Sequence, residues 1–229
     1  MKSAAAPALE LGVAERQRLI ADLFHALSQP ITALRCSLES ALHGSRATAP
    51  SAENLQTALE HAERIARLAG GIRQLLEADD PGDERVAFPL EISLREAVVE
   101  MQPIAEAARV RMQLRCASPC RVVAEPQRMR QGWFYLLEFA LTSAAESSIL
   151  DVTLIQEEET AVVRLSLDPR PAQESLREAG NEAERKSQQL SRRLGLAIAG
   201  RIFEAAGGRL QIQEEDQHVG LRLRLPCAA

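Results

Sequence analysis

Between Ile20 and Leu42 the large apolar residues fall at Ile20, Leu23, Leu27, Ile31, Leu34, Leu38 and Leu42, in steps of 3, 4, 4, 3, 4 and 4. This is helical spacing, not the alternation of a strand. It predicts one long helix from about Gly12 to His43, closed by the turn formers of Gly44 to Pro50. A second helix is expected from Ser51, a capping residue with Glu53 in the first turn, to about Ala78. Its apolar face would be Leu55, Leu59, Ala62, Ile65, Ala66, Ala69, Ile72 and Leu76, and Asp79-Asp80-Pro81-Gly82-Asp83 ends it. Gly70-Gly71 inside that helix costs about 1 kcal/mol per glycine relative to alanine and marks close packing or a bend. Two helices cannot bury full apolar stripes alone. The economical solution is an antiparallel hairpin over 12–80 that pairs with a second copy, giving a dimeric four-helix bundle.

One histidine interrupts the stripe. His25 lies about 200° around the helix from both Leu23 and Leu27, so it is expected to face water. Pro30, five residues on, removes the donor for the carbonyl of Ala26 and predicts a bend there. An exposed imidazole titrates near neutrality, so a neutral ring nitrogen is available as a nucleophile that can take and release a phosphoryl group. Gln29 is one turn further along the same face. His43, His61 and His218 have no comparable surroundings and suggest no metal site.

From Glu84 onward the pattern is mixed. Short strands are expected at 84–90, 110–116, 121–124, 150–156, 161–167, 209–215 and 219–225. Helices are expected from Ser93 (as cap) to Ala108, from Pro126 to Ser147 and from Ser191 to Ala206, the last closed by Gly207-Gly208. Residues 169–190 are polar and read as a mobile segment or weak helix. Helices on one face of a mixed sheet make a two-layer α/β sandwich over 84–229, so the chain as a whole is α+β. Aromatics are only 3% of the chain, which leaves the core to Leu, Ala, Ile and Val. The net charge of −5 argues against nucleic acid as the main partner. No apolar run reaches membrane-spanning length and the first residues lack a signal-peptide core, so the expected location is the cytoplasm, without membrane contact. The thiols Cys36, Cys116, Cys120 and Cys227 form no zinc-type spacing. Cys116 and Cys120 could meet across a turn but are expected to stay reduced.

The helix Asp22 to Arg35, with His25 followed at the fifth position by Pro30, resembles the phosphoacceptor box of bacterial two-component histidine kinases. The element order after residue 84 resembles the ATP-binding domain of the same family, whose fold is shared with gyrase, Hsp90 and MutL. The run from Arg193 to Leu210, opening Arg193-Leu194-Gly195-Leu196-Ala197-Ile198-Ala199-Gly200, resembles the second glycine box and the helix after it. The resemblance implies a homodimer, response-regulator receiver domains as partners and His25 as phosphoacceptor. It also implies that Gln29 orients water or contacts the partner, and that Asp168 is the residual adenine-binding position.

Four positions depart from the family pattern. The asparagine that would hold Mg²⁺ is Phe139, and a neighbouring asparagine position is Tyr135. The Asp-x-Gly-x-Gly box is Asp168-Pro169-Arg170-Pro171-Ala172, without its glycines. The glycine-rich lead into the last helix is Ser191-Arg192-Arg193-Leu194-Gly195. The acidic residue expected after the histidine is Ala26. These changes imply little or no ATP binding and no cofactor of the chain's own, the Mg²⁺ being supplied by the partner receiver domain. The expected function is histidine phosphotransfer in a phosphorelay. The alternatives are a non-catalytic pseudokinase that binds response regulators and a divergent active histidine kinase.

Overall fold

The computed structural model describes residues 13–43, 52–78, 84–169, 182–215 and 218–228. Helices α1 (Val13–His43) and α2 (Ala52–Glu77) form a helical hairpin, and contacts group Val13–Gln74 as one compact unit. The turn expected over Gly44 to Pro50 and the cap expected at Ser51 lie outside the described residues. Helix α1 runs unbroken through Pro30.

The hairpin by itself buries only part of the expected stripes. Leu19, Leu23, Ala58 and Leu68 are buried, Pro30 with them, while Leu27, Leu34, Ile65 and Ile72 are half-buried. Ile31 and Leu38 are 50% and 44% exposed, and Leu55, Leu59 and Leu76 are exposed as well. The expected stripes therefore split between two faces. A helix with apolar groups at both 3- and 4-residue steps carries a wide stripe, and one neighbouring helix covers only part of it.

The second unit begins at Leu75. In chain order it contains β1 (Val86–Pro89), α3 (Leu90–Glu100), α4 (Gln102–Ala107), β2 (Arg111–Cys116), β3 (Arg121–Ala124), α5 (Pro126–Ser143), β4 (Ile149–Glu157) and β5 (Thr160–Leu167). Helix α6 (Glu182–Ala205), β6 (Arg209–Glu215) and β7 (His218–Pro226) follow. A five-stranded mixed sheet has the order β2-β4-β5-β7-β6, with β2 parallel to β4 and every other pair antiparallel. Strands β1 and β3 form a separate antiparallel pair. Alternate residues of the central strands, Leu150, Val152 and Leu154 on β4 and Leu221, Leu223 and Leu225 on β7, are at most 1% exposed. They join Leu94, Trp133, Leu137 and Phe203 of the helices in one core. This is the two-layer sandwich expected from the element order.

Three expectations within this unit need correction. The helix expected from Ser93 starts at Leu90, after Pro89, whose backbone is already extended at the N-cap. Ser93 does not cap it: its hydroxyl accepts a hydrogen bond from Trp133 Nε1 at 3.1 Å. The same helix breaks at Met101 and resumes as α4, because Pro103 has no N–H to give to the carbonyl one turn earlier. Helix α6 starts at Glu182 rather than Ser191, so of the two readings of 169–190, mobile segment or weak helix, the last part follows the helix. At its far end Gly207 adopts φ 79° and returns the chain to β6.

Candidate functional site

Helix α1 carries the candidate phosphoacceptor. The backbone of His25 is helical, and its side chain lies outside the described residues. Around it, Phe24 is 68% exposed, Ala26 is half-buried and offers no proton acceptor, and Gln29 is exposed one turn further on. Two hydroxyls flank the proline. Ser28 Oγ donates to the carbonyl of Phe24 at 2.9 Å, and Thr32 Oγ1 donates to the carbonyl of Ser28 at 2.9 Å. These back-bonds bind carbonyls within the helix on either side of the position where Pro30 supplies no donor.

Of the positions that the resemblance to histidine kinases would assign to nucleotide binding, Tyr135 and Phe139 fall on α5 and Gly195 on α6, two helices that pack closely. Gly132 lets the helices approach: a Cβ there would lie 3.0 Å from Phe203 and 3.1 Å from Ile202. Trp133 packs against Phe203 with ring centroids 4.9 Å apart. At Gly195, the surviving glycine of the second box, the neighbour is Tyr135: an added Cβ would sit 3.3 Å from its ring carbon Cδ1. Phe134 packs edge-on to Tyr135 at 5.6 Å. Phe139, one turn beyond Tyr135, is half-buried against the core. Thus the two positions where the family pattern has carboxamides carry aromatic rings, and one ring lies against the glycine.

Between those rings sits Glu138, which sequence reasoning passed over. It is half-buried, and loss of hydration raises the pKa of its carboxyl above the ordinary glutamate value. Burial also raises the phenol of Tyr135, Glu138 adds to the effect, and a hydrogen bond with Gln131 opposes it. The only advance signal for this pair is an acidic residue three positions from a tyrosine in the otherwise apolar stretch Gly132 to Leu141.

Asp168 follows the end of β5 and is exposed. Its carbonyl accepts from the N–H of Ala145 at 2.8 Å, and Pro169 bridges to Ala144, which ties the strand end to the end of α5. Arg170 to Ala172 lie outside the described residues. Arg193 is exposed and Arg192 half-buried near the middle of α6, within regular helix rather than in a loop before it. His25 and Gln29 belong to the hairpin unit, and Asp168 to the sandwich unit. Among the cysteines, Cys120 is buried and its thiol is pushed up to about 11, chiefly by burial, which keeps it protonated.

No protein-family model matches the chain, and no curated protein matches it in sequence. Its fold does match solved structures. Acinetobacter baumannii histidine kinase AdeS is similar over 90% of this chain and 98% of that one, at 16% identity and a TM-score of 0.63. Histidine kinase ThkA, solved in complex with response regulator protein TrrA, is similar over 92% of this chain and 61% of that one, at 17% identity and a TM-score of 0.65. Full-length ShkA, solved in complex with AMPPNP, is similar over 93% of this chain and 46% of that one, at 16% identity and a TM-score of 0.56. The helical hairpin and α/β sandwich thus share the fold of histidine kinase catalytic cores. Within the described residues, no helix is long and apolar enough to cross a membrane.

Proposed function

We propose that this chain, built on the histidine kinase fold, is a dimeric cytoplasmic histidine phosphotransferase of two-component signalling. In this reading His25 carries a phosphoryl group between the receiver-domain aspartates of response regulators. The observation that carries the reading is the contact between Tyr135 and Gly195. In histidine kinases the corresponding positions must leave backbone room for phosphate and supply an amide oxygen to Mg²⁺. An aromatic ring held against the glycine does neither, and Phe139 has no oxygen to offer a hard cation. These residues do not fit a magnesium nucleotide. Ala26 agrees with this: it cannot serve as the base for autophosphorylation.

Phosphotransfer asks less of the chain. The lone pair of a neutral imidazole nitrogen attacks phosphorus in the partner's aspartyl phosphate. The bond from phosphorus to the carboxylate oxygen breaks, and the aspartate leaves with that electron pair. The reverse step hands the group to another receiver. The partner brings the metal, and the hairpin must place the ring in line with the leaving oxygen. The ThkA structure, which holds a response regulator, supports the partner class. The exposed apolar residues Phe24, Ile31, Leu38, Leu55 and Leu59 support a second hairpin as the other half of the bundle.

The test is incubation of the full chain with a phosphorylated receiver domain. The expected result is label on the parent chain, none on His25→Ala, and none when ATP and Mg²⁺ replace the receiver. Equal labelling of His25→Ala would sink the reading. Binding of ATP and Mg²⁺ tighter than about millimolar, near −4 kcal/mol, would point to an active kinase instead. A partner bound and regulated equally by parent and His25→Ala, without transfer, would favour the adaptor.

A further inference from the structure

The face of the five-stranded sheet turned away from the core is rich in guanidinium groups. One row, read across the strands from the register, is Arg115, Thr153, Arg164, Arg222 and Gln211. In the next, Val162 faces Arg224 and Arg224 faces Arg209. With Arg111 on β2, the outward positions of the five strands hold six arginines against three carboxylates, Asp151, Glu157 and, at the end of β6, Glu215. The chain as a whole carries −5, so this face is opposite in sign to the molecule that bears it.

The arrangement is costly to the fold. Arg164 lies directly opposite Arg222, and Arg224 directly opposite Arg209. Like charges facing each other across strands destabilise a sheet. Glu157 offsets part of this, at 2.7 Å from Arg164, 3.0 Å from Arg222 and 3.9 Å from Arg224. One carboxylate for three guanidiniums leaves an excess of positive charge. The Nε of Arg222 is buried without a hydrogen-bond partner. Val162 is 0% exposed although it is on this outer face and outside the core cluster, so side chains lying across the sheet cover it. The heads remain accessible: the side chains of Arg115, Arg164 and Arg224 are 66%, 48% and 48% exposed.

We propose that this open face of the sheet docks an acidic protein surface. Arginine forks pair with carboxylates two bonds at a time, and within the chain Arg222 Nη2 already donates to both oxygens of Glu157. Nucleic acid fits less well, because no aromatic side chain lies among the described outward positions to stack on bases. An anionic bilayer also fits less well. Its charge is a continuous plane, which would press on Glu157 and Asp151 in mid-face, whereas a protein surface can place its carboxylates between them.

The experiment uses the full chain at low salt with three probes: poly-L-glutamate, vesicles containing phosphatidylglycerol, and oligo-deoxythymidine. Poly-L-glutamate is expected to bind, and to release as salt rises. Replacing two exposed charges in Arg164→Gln/Arg224→Gln should weaken it by about fivefold. Glu157→Gln frees guanidiniums and should tighten it by about threefold. Thermal melting checks that each variant is folded. The proposal is overturned if folded variants bind poly-L-glutamate as the parent does, or if vesicles or oligo-deoxythymidine bind more tightly than the polypeptide. It is also overturned if low salt drives self-association that Arg164→Gln/Arg224→Gln abolishes, since the occupant would then be a second copy.

Discussion

Tyr135 and Glu138 lie within one turn of α5. An aromatic ring has been brought against Gly195, and the carboxyl one turn away loses much of its water. The folded state therefore prefers Glu138 protonated, with a pKa above the ordinary 4.5. A raised folded pKa means that the contribution to stability is fully present below the unfolded value and is lost as pH rises through the folded one. Glu138→Gln mimics the neutral form at every pH. The variant should match the parent near pH 4 and be the more stable protein near pH 7, as read from urea unfolding at both values. If the two proteins stay equally stable across that range, Glu138 is not held at a desolvation cost. The resemblance to histidine kinases pointed to Tyr135 and Phe139 as positions where that family carries carboxamides. It could not place Gly195 beside Tyr135, because that contact joins residues sixty positions apart through the packing of α5 on α6.

At the scale of elements, the hairpin is the least self-sufficient part. Phe24, Ile31 and Leu38 recur every seven residues on α1, and all three are exposed. On α2, Leu55 and Leu59 are exposed one turn apart. A heptad row of this kind fits the seam of the proposed dimeric bundle. Ile31→Asp with Leu38→Asp should convert a dimer to a monomer in sedimentation, with the melting of the sandwich unit unchanged. A dimer that persists would place the seam elsewhere. The helices themselves were legible, because apolar spacing reports periodicity directly. Which half of a wide stripe is buried was not, because that depends on where the neighbouring helix crosses. The same division holds for Ser93 and Glu182. A serine ahead of an apolar run has the signature of a cap, yet its partner is Trp133, forty residues away. The stretch Glu182-Ala183-Glu184-Arg185-Lys186 lacks large apolar groups, but each of these residues is a good helix former, so polarity alone was a poor guide to order.

At the scale of the whole molecule, the two units differ in what holds them together. The sandwich closes its own core: Trp133, Leu137, Leu150, Leu154 and Leu223 are fully buried without help from another chain. Among the described residues, the hairpin buries few large side chains and leaves several apolar ones exposed. A unit whose apolar face is completed by a second copy is stabilised by mass action, so its melting temperature rises with protein concentration. A fragment beginning at Leu75 should therefore fold and melt cooperatively at a temperature independent of concentration. The full chain should show a further transition that moves up by a few degrees for each tenfold rise in concentration. Scanning calorimetry of both proteins over two decades of concentration reads this directly. A fragment that fails to fold would mean that the hairpin completes the sandwich core. A full chain with no concentration-dependent transition would mean that the hairpin is stable as a single copy. In either case α1 and α2 would have to be reassigned from a shared bundle to a support for one domain, and the exposed row Phe24, Ile31 and Leu38 would need another role.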